Sequence, residues 1–153
     1  MARNWEGDHR NKATGEHVAY RDIGGVWTAC YGQTGARVAP GGRYSQTTCD
    51  QWLRDELLDT HNAVMRCLQQ PEGLTPSRQA AFVVMAYNVG VSGFCSSAAA
   101  GFARRSDWPS ACRAIQVNNG GRPAWSYVNG RFVQGLANRR GAERELCEGR
   151  AAP

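Results

Sequence analysis

No stretch of the sequence approaches the roughly 18 to 20 uninterrupted apolar residues that a membrane-spanning helix needs, so stable insertion of this chain in a bilayer is not expected. Lysine is almost missing: Lys12 stands alone against seventeen arginines. Those arginines are scattered, with doublets only at Arg104-Arg105 and Arg139-Arg140. No aromatic residues interleave with a basic run, as single-strand binding requires, and nucleic acid is set aside as a partner. No C-x-x-C or Cys/His pair has zinc spacing, and no metal or other cofactor is expected. Internal repeats and low-complexity linkers are lacking too, which leaves one domain over residues 1–153. The opening Met1-Ala2-Arg3-Asn4-Trp5 is too short for a signal peptide. The expectation is that export information was lost upstream, or that another protein opens the route out.

What is present narrows the reading further. A chain of 153 residues is long enough to bury roughly two thirds of its unfolded surface. Eighteen basic residues against thirteen acidic ones give a net charge of +5, suited to an anionic envelope surface. Six cysteines in so short a chain point to an oxidising, extracytoplasmic compartment. They allow fifteen pairings, and spacing alone does not choose among them.

From His17 to Gln33 the β-formers Val18, Tyr20, Val26, Trp27 and Tyr31 surround the turn residues Asp22-Ile23-Gly24-Gly25, which predicts an antiparallel hairpin sheet. Gly35 to Gly42 reads as loop. Helical periodicity follows Thr47, taken as the N-cap, with Trp52, Leu53, Leu57, Val64 and Leu68 near one face. Thr75-Pro76 starts a second helix, apolar on most sides from Ala80 to Tyr87 and ended by Gly90. Short helices are predicted over Ser96–Ala103 and Trp108–Val117, then breakers around Trp125 and Tyr127, then an amphipathic helix from Gln134 to Cys147. The fold class is α+β: a small β-hairpin part and a mainly helical part. The three histidines, His9, His17 and His61, lack ligand-like spacing and are expected to face solvent.

Asp22 lies at the hairpin turn, and Thr28 follows six positions later on the returning strand. A carboxylate and a hydroxyl so placed can hold a water and take its proton. Glu6, in Trp5-Glu6-Gly7, closes a short first helix and supplies a second carboxyl. Each has a plainer reading: a turn aspartate, a strand threonine, a surface glutamate.

Resemblance adds to this. Tyr20-Arg21-Asp22-Ile23-Gly24-Gly25-Val26-Trp27-Thr28, within Ala19 to Gly35, resembles the catalytic hairpin of phage endolysins of the T4-lysozyme type, glycoside hydrolase family 24. Ala86-Tyr87-Asn88-Val89-Gly90, running on to Ser96-Ser97, is similar to the family's helix-to-loop segment. Gly135 to Cys147 is similar to its last helix. The resemblance implies a lysozyme-like fold whose sheet-bearing and helical lobes enclose a glycan groove. It implies hydrolysis of the β-1,4 bond from N-acetylmuramic acid to N-acetylglucosamine in peptidoglycan glycan strands. Carried over by position, Glu6 is the general acid, and Asp22 and Thr28 position and activate water. Tyr31, Tyr87, Asn88, Ser96 and Ser97 are groove residues. The pairs expected are Cys30–Cys49, Cys67–Cys95 and Cys112–Cys147. The place of action is the periplasm or cell wall of a host, after export or holin release, as a monomer.

Two departures stand out. The family's usual spacing would put the acid at Ala13, which does no acid–base chemistry. Here fifteen residues separate Glu6 from Asp22, read as an extension of the first hairpin within Asp8 to His17, with Thr14-Gly15 at its turn. Glu16 is the rival carboxylate. At Gln33 many relatives carry histidine. Two other readings remain: a lytic transglycosylase, which needs the acid but not Asp22, and a wall-binding protein without catalysis.

Overall fold

Glycines interrupt the β-formers of the first third so often that strands there run only two residues each. In the computed structural model, which describes residues 10, 11 and 13–152, these are β1 (His17–Val18), β2 (Tyr20–Arg21), β3 (Trp27–Thr28) and β4 (Arg43–Tyr44). β1 pairs with β4 and β2 with β3, both antiparallel. Upstream, Arg10 bridges to His17, and the intervening turn is held by Asn11, whose Oδ1 accepts from Ala13 N at 2.9 Å. Gly15 takes the positive φ of +74° that this turn needs. The hairpin extension is therefore a surface turn as far as it is described; Glu6, Asp8 and His9 lie outside the described residues.

The chain comprises two compact units, one up to Glu56 and one from Leu57. The core of the first is small: Ala19, Ala29, Cys30, Val38 and Cys49, with Trp27, Tyr31, Tyr44 and Trp52 packed against it. The Cys30–Cys49 disulfide, Cα atoms 5.1 Å apart, ties the hairpin region to helix α1 (Gln46–Leu68). The cap of α1 is Ser45, not Thr47: its Oγ accepts from Thr48 N at 3.1 Å. Ser45 directly follows β4, so the strand end and the helix start are one junction.

The second unit is helical. Thr75 caps α2 (Pro76–Val89), with proline in its first turn. Gly90 ends it at φ +92°, and the chain turns at once into α3 (Val91–Cys95), a helix not predicted from sequence. Ser97 caps α4 (Ala98–Arg104) and Asp107 caps α5 (Trp108–Gln116). The segment read as breakers is a hairpin, β5 (Tyr127–Val128) with β6 (Arg131–Phe132), turned on Asn129-Gly130 at φ +50° and +79°. Asn-Gly is the sequence that such a two-residue turn favours. The last helix, α6, covers Gln134–Cys147, as the periodicity predicts.

Alanines and three aromatic rings fill this second core. Ala81, Ala99, Ala100, Ala103 and Ala111 let helices approach closely, while Phe82 packs against Phe94 and Trp108. Cys67–Cys95 and Cys112–Cys147 complete the three expected pairs. Arg104 braces the first of these, donating from Nε to Cys67 O and from Nη2 to Cys95 O.

Candidate active site

The turn between β2 and β3 explains why Asp22 and Thr28 occur where they do. Asp22 N donates to Val26 O at 2.9 Å, and Asp22 Oδ1 accepts from Val26 N at 2.9 Å. The aspartate thus closes the loop with backbone and side chain together. Thr28 lies opposite Tyr20 across the strand pair, and its hydroxyl donates to the same Val26 O at 3.0 Å. Thr28 is buried and Asp22 is exposed. The backbone N–H and C=O of the one residue Val26 therefore fix both side chains. Sequence spacing pointed to their proximity but gave no hint that Val26 is the hinge of the arrangement.

Deeper in the first unit, Gln33 is 1% exposed and works as a two-sided clamp. Its Oε1 accepts from Tyr31 N at 2.6 Å, and its Nε2 donates to Glu56 Oε2 at 3.3 Å. Arg37 closes the other oxygen of Glu56 at 2.7 Å. The Tyr31 hydroxyl donates to Asp50 Oδ1 at 2.9 Å, and the Gln46 amide donates to Tyr31 and Asp50 alike. Gln33 is thus a neutral amide whose donor and acceptor ends are both used.

His17 corrects an expectation. It is 4% exposed instead of facing solvent, because β1 carries it under Tyr31, whose ring lies edge-on 5.7 Å away. Its Nε2 donates to Gln46 Oε1 at 2.8 Å, since the Gln46 amide nitrogen is already committed elsewhere. Its Nδ1 has no hydrogen-bond partner.

The remaining site residues belong to the second unit. Asn88, at the end of α2, is exposed, and its Oδ1 accepts from Arg140 Nη2 at 2.9 Å. Arg140 is held in turn by Glu143, with Nε to Oε1 at 2.7 Å and Nη2 to Oε2 at 3.0 Å. Both charged residues are fully buried. Burial pushes the Glu143 carboxyl up to about 7, against the opposing pull of Arg140. Neither residue was singled out from sequence; charges at helical spacing usually mark a solvated face. Tyr87 is half-buried. The Ser97 hydroxyl donates to Phe94 O and accepts from Ala100 N, a complete cap, while Ser96 is exposed. Glu6 lies outside the described residues. Among the described residues no group of three His, Cys, Asp or Glu side chains is arranged to hold a metal.

Comparison with known proteins fits this geometry. The phage lysozyme profile matches residues 11–143, most of the chain. The chain belongs to the phage lysozyme family. As a phage lysozyme it is a glycoside hydrolase acting on peptidoglycan. Its relatives include the SAR-endolysin of Escherichia phage Mu, 30% identical over 89% of this chain and 74% of that protein. The SAR-endolysin of Enterobacteria phage P21 is 28% identical over 86% of this chain and 74% of that protein. Among solved structures, an endolysin from Escherichia coli O157:H7 phage FAHEc1 superposes with a TM-score of 0.78. It is 23% identical, with 99% of this chain and 90% of that one covered. The muramidase domain of SpmX from Asticaccaulis excentricus gives 0.76 at 24% identity, covering 99% of this chain and 92% of that one. These likenesses establish the lysozyme fold.

Proposed function

We propose that this phage lysozyme is an endolysin of the T4-lysozyme type, in glycoside hydrolase family 24. It cleaves the β-1,4 bond from N-acetylmuramic acid to N-acetylglucosamine with inversion. The observation that carries this reading is the shared anchoring of Asp22 and Thr28 on Val26. With its proton committed to Val26 O, the Thr28 hydroxyl offers only lone pairs. Asp22, its Oδ1 engaged by Val26 N, offers Oδ2. A water lying against both directs one hydrogen to each acceptor and keeps a lone pair for attack on the anomeric carbon. As the new C–O bond forms, Asp22 takes one proton of that water. The bond to the leaving sugar breaks, and its oxygen takes the proton of Glu6. For inversion the two carboxyl groups stand roughly 6.5 to 9.5 Å apart.

Tyr31, Tyr87, Asn88, Ser96 and Ser97 are assigned to glycan contact. The Arg140 bond to Oδ1 leaves the Asn88 amide hydrogens for sugar oxygens. Ser96 is freer than Ser97, whose hydroxyl is spent on its cap. The enzyme acts as a monomer in the periplasm or cell wall of its host, reached by export or holin release. Three disulfides suit that compartment.

The test is clearing of purified peptidoglycan by this chain beside Glu6→Gln, with analysis of the released sugars. Clearing with new reducing ends by the parent alone supports the reading. Anhydro-sugar products would make it a transglycosylase. Equal clearing by both proteins would pass the acid role to Glu16, and binding without clearing would leave a wall-binding protein.

A further inference from the structure

Exposed apolar side chains are concentrated in one place. Of the eight large hydrophobic residues that stand exposed among the described residues, five fall between positions 125 and 133: Trp125, Tyr127, Val128, Phe132 and Val133. They belong to the β5–β6 hairpin and its two stems. The pairing explains the exposure. Tyr127 is opposite Phe132 and Val128 opposite Arg131, so side chains alternate to the two faces of a two-stranded ribbon, and every residue from 127 to 132 is exposed. Neither face is buried. The base is firm: Trp125 rests on Gly93, where an added Cβ would come within 3.4 Å of the ring, and Ser126, wholly buried, accepts at its carbonyl from Val133 N. The Tyr127 and Phe132 rings meet edge to face, centroids 5.9 Å apart.

The sequence that carries this ribbon has charge of one sign. Between Asp107 and Glu143 the sequence has no acidic residue, while the exposed Arg113, Arg122 and Arg131 fall there; Arg140 is spent on its buried pair with Glu143. Arg122 and Arg131 are exposed, and Arg131 adjoins the Asn129-Gly130 tip.

We propose that the β5–β6 hairpin is a membrane-docking element that inserts tip-first into the interface of an anionic lipid bilayer. A flat protein partner or a sugar chain covers one face of a ribbon and leaves the other in water. A bilayer interface surrounds both. Trp125 is a residue type that settles at headgroup depth, the paired Tyr127 and Phe132 rings lie together at one level nearer the tip, Val128 beside the tip reaches the acyl boundary, and Arg131 folds back to lipid phosphate. The exposed Arg122 and Arg131 meet the negative surface. Docking of this kind is peripheral, since no helix among the described residues is long and apolar enough to cross a membrane. It is independent of the catalytic reading.

The experiment is co-sedimentation of the whole chain with vesicles of phosphatidylglycerol and phosphatidylethanolamine, beside vesicles of phosphatidylcholine alone. Binding is expected to the anionic vesicles, with part of it surviving high salt. Arg131→Gln is expected to weaken it about five-fold, the effect of one basic residue near such a surface. The double variant Val128→Ser with Phe132→Ser is expected to abolish the salt-resistant part. Because those side chains are exposed, its circular dichroism and melting should match the parent. Equal binding by parent and double variant, or no preference for anionic lipid, would overturn the proposal. So would ribbon-dependent binding to chitin oligosaccharides without vesicle binding, which would make this a sugar platform. Ribbon-dependent dimers in sedimentation without vesicle binding would point instead to a second copy.

Discussion

Asp22 and Thr28 are tied to the two ends of one residue: the carboxylate of Asp22 accepts from Val26 N, and the hydroxyl of Thr28 donates to Val26 O. Stability and chemistry at this turn can therefore be separated by substitution. Asp22→Asn keeps an oxygen to accept from Val26 N but loses the base. It is expected to melt as the parent does while activity on peptidoglycan falls by about a hundred-fold or more. Thr28→Val removes the hydroxyl at nearly constant volume. The expected cost is on the order of 1 kcal/mol by chemical denaturation, with a loss of activity that Thr28→Ser restores. A Thr28→Val enzyme of full activity would remove the hydroxyl from the mechanism.

The buried Arg140–Glu143 pair gives a pH dependence of definite sign. The folded pKa of Glu143 lies above its ordinary 4.5, at about 7, so the folded chain holds that proton more tightly than the unfolded one. The group's stabilising contribution is complete below pH 4.5 and is lost as pH rises towards 7. Melting temperatures of the parent measured against Glu143→Gln should fall progressively across that window. A constant difference would mean the carboxyl stays ionised throughout.

Arg140→Met leaves the carboxyl of Glu143 without its cation and Asn88 without its donor. The expected loss is about 3 to 5 kcal/mol at pH 8, smaller at pH 5 where Glu143 can take a proton. Urea unfolding at the two pH values measures both numbers. Arg140→Met combined with Glu143→Leu should recover much of the stability, because the uncompensated buried charge is gone.

Gln33→Glu would set a carboxylate beside Glu56, whose Oε2 now accepts from the Gln33 amide at 3.3 Å. Like charges at that distance disfavour the folded state. The variant is expected to melt below the parent at pH 7 and to regain the difference as pH falls and one carboxyl protonates. Equal melting at pH 7 would show that Arg37 neutralises the pair.

Local rules made much of this fold legible. Thr75-Pro76 and Gly90 bracket α2, the periodicity from Gln134 gives α6 to its ends, and the turn at Asp22 is where its residues said it would be. What escaped depended on neighbours distant in sequence. His17 looked solvent-facing because nothing nearby in sequence announces that Tyr31 and Gln46 cover it. Arg140 and Glu143 have the spacing of a surface ion pair, and only packing shows them buried behind Asn88. The second hairpin was missed for another reason. Asn129-Gly130 is a strong turn signal, but strands of two residues are too short to show alternation. In the candidate site, the types and spacing of Asp22 and Thr28 were legible, but the carbonyl and amide of Val26 that hold them are backbone atoms, which no residue letter encodes.

The three disulfides close loops that follow one another along the chain, 30 to 49, 67 to 95 and 112 to 147, without overlap or nesting. The six cysteines pair in order, first with second, third with fourth and fifth with sixth. A chain delivered amino-terminus first presents each thiol while its correct partner is the nearest one still unpaired. An oxidant that joins thiols in order of arrival then reaches the native set directly, and the slow reshuffling that nested or crossed bridges demand has nothing to correct.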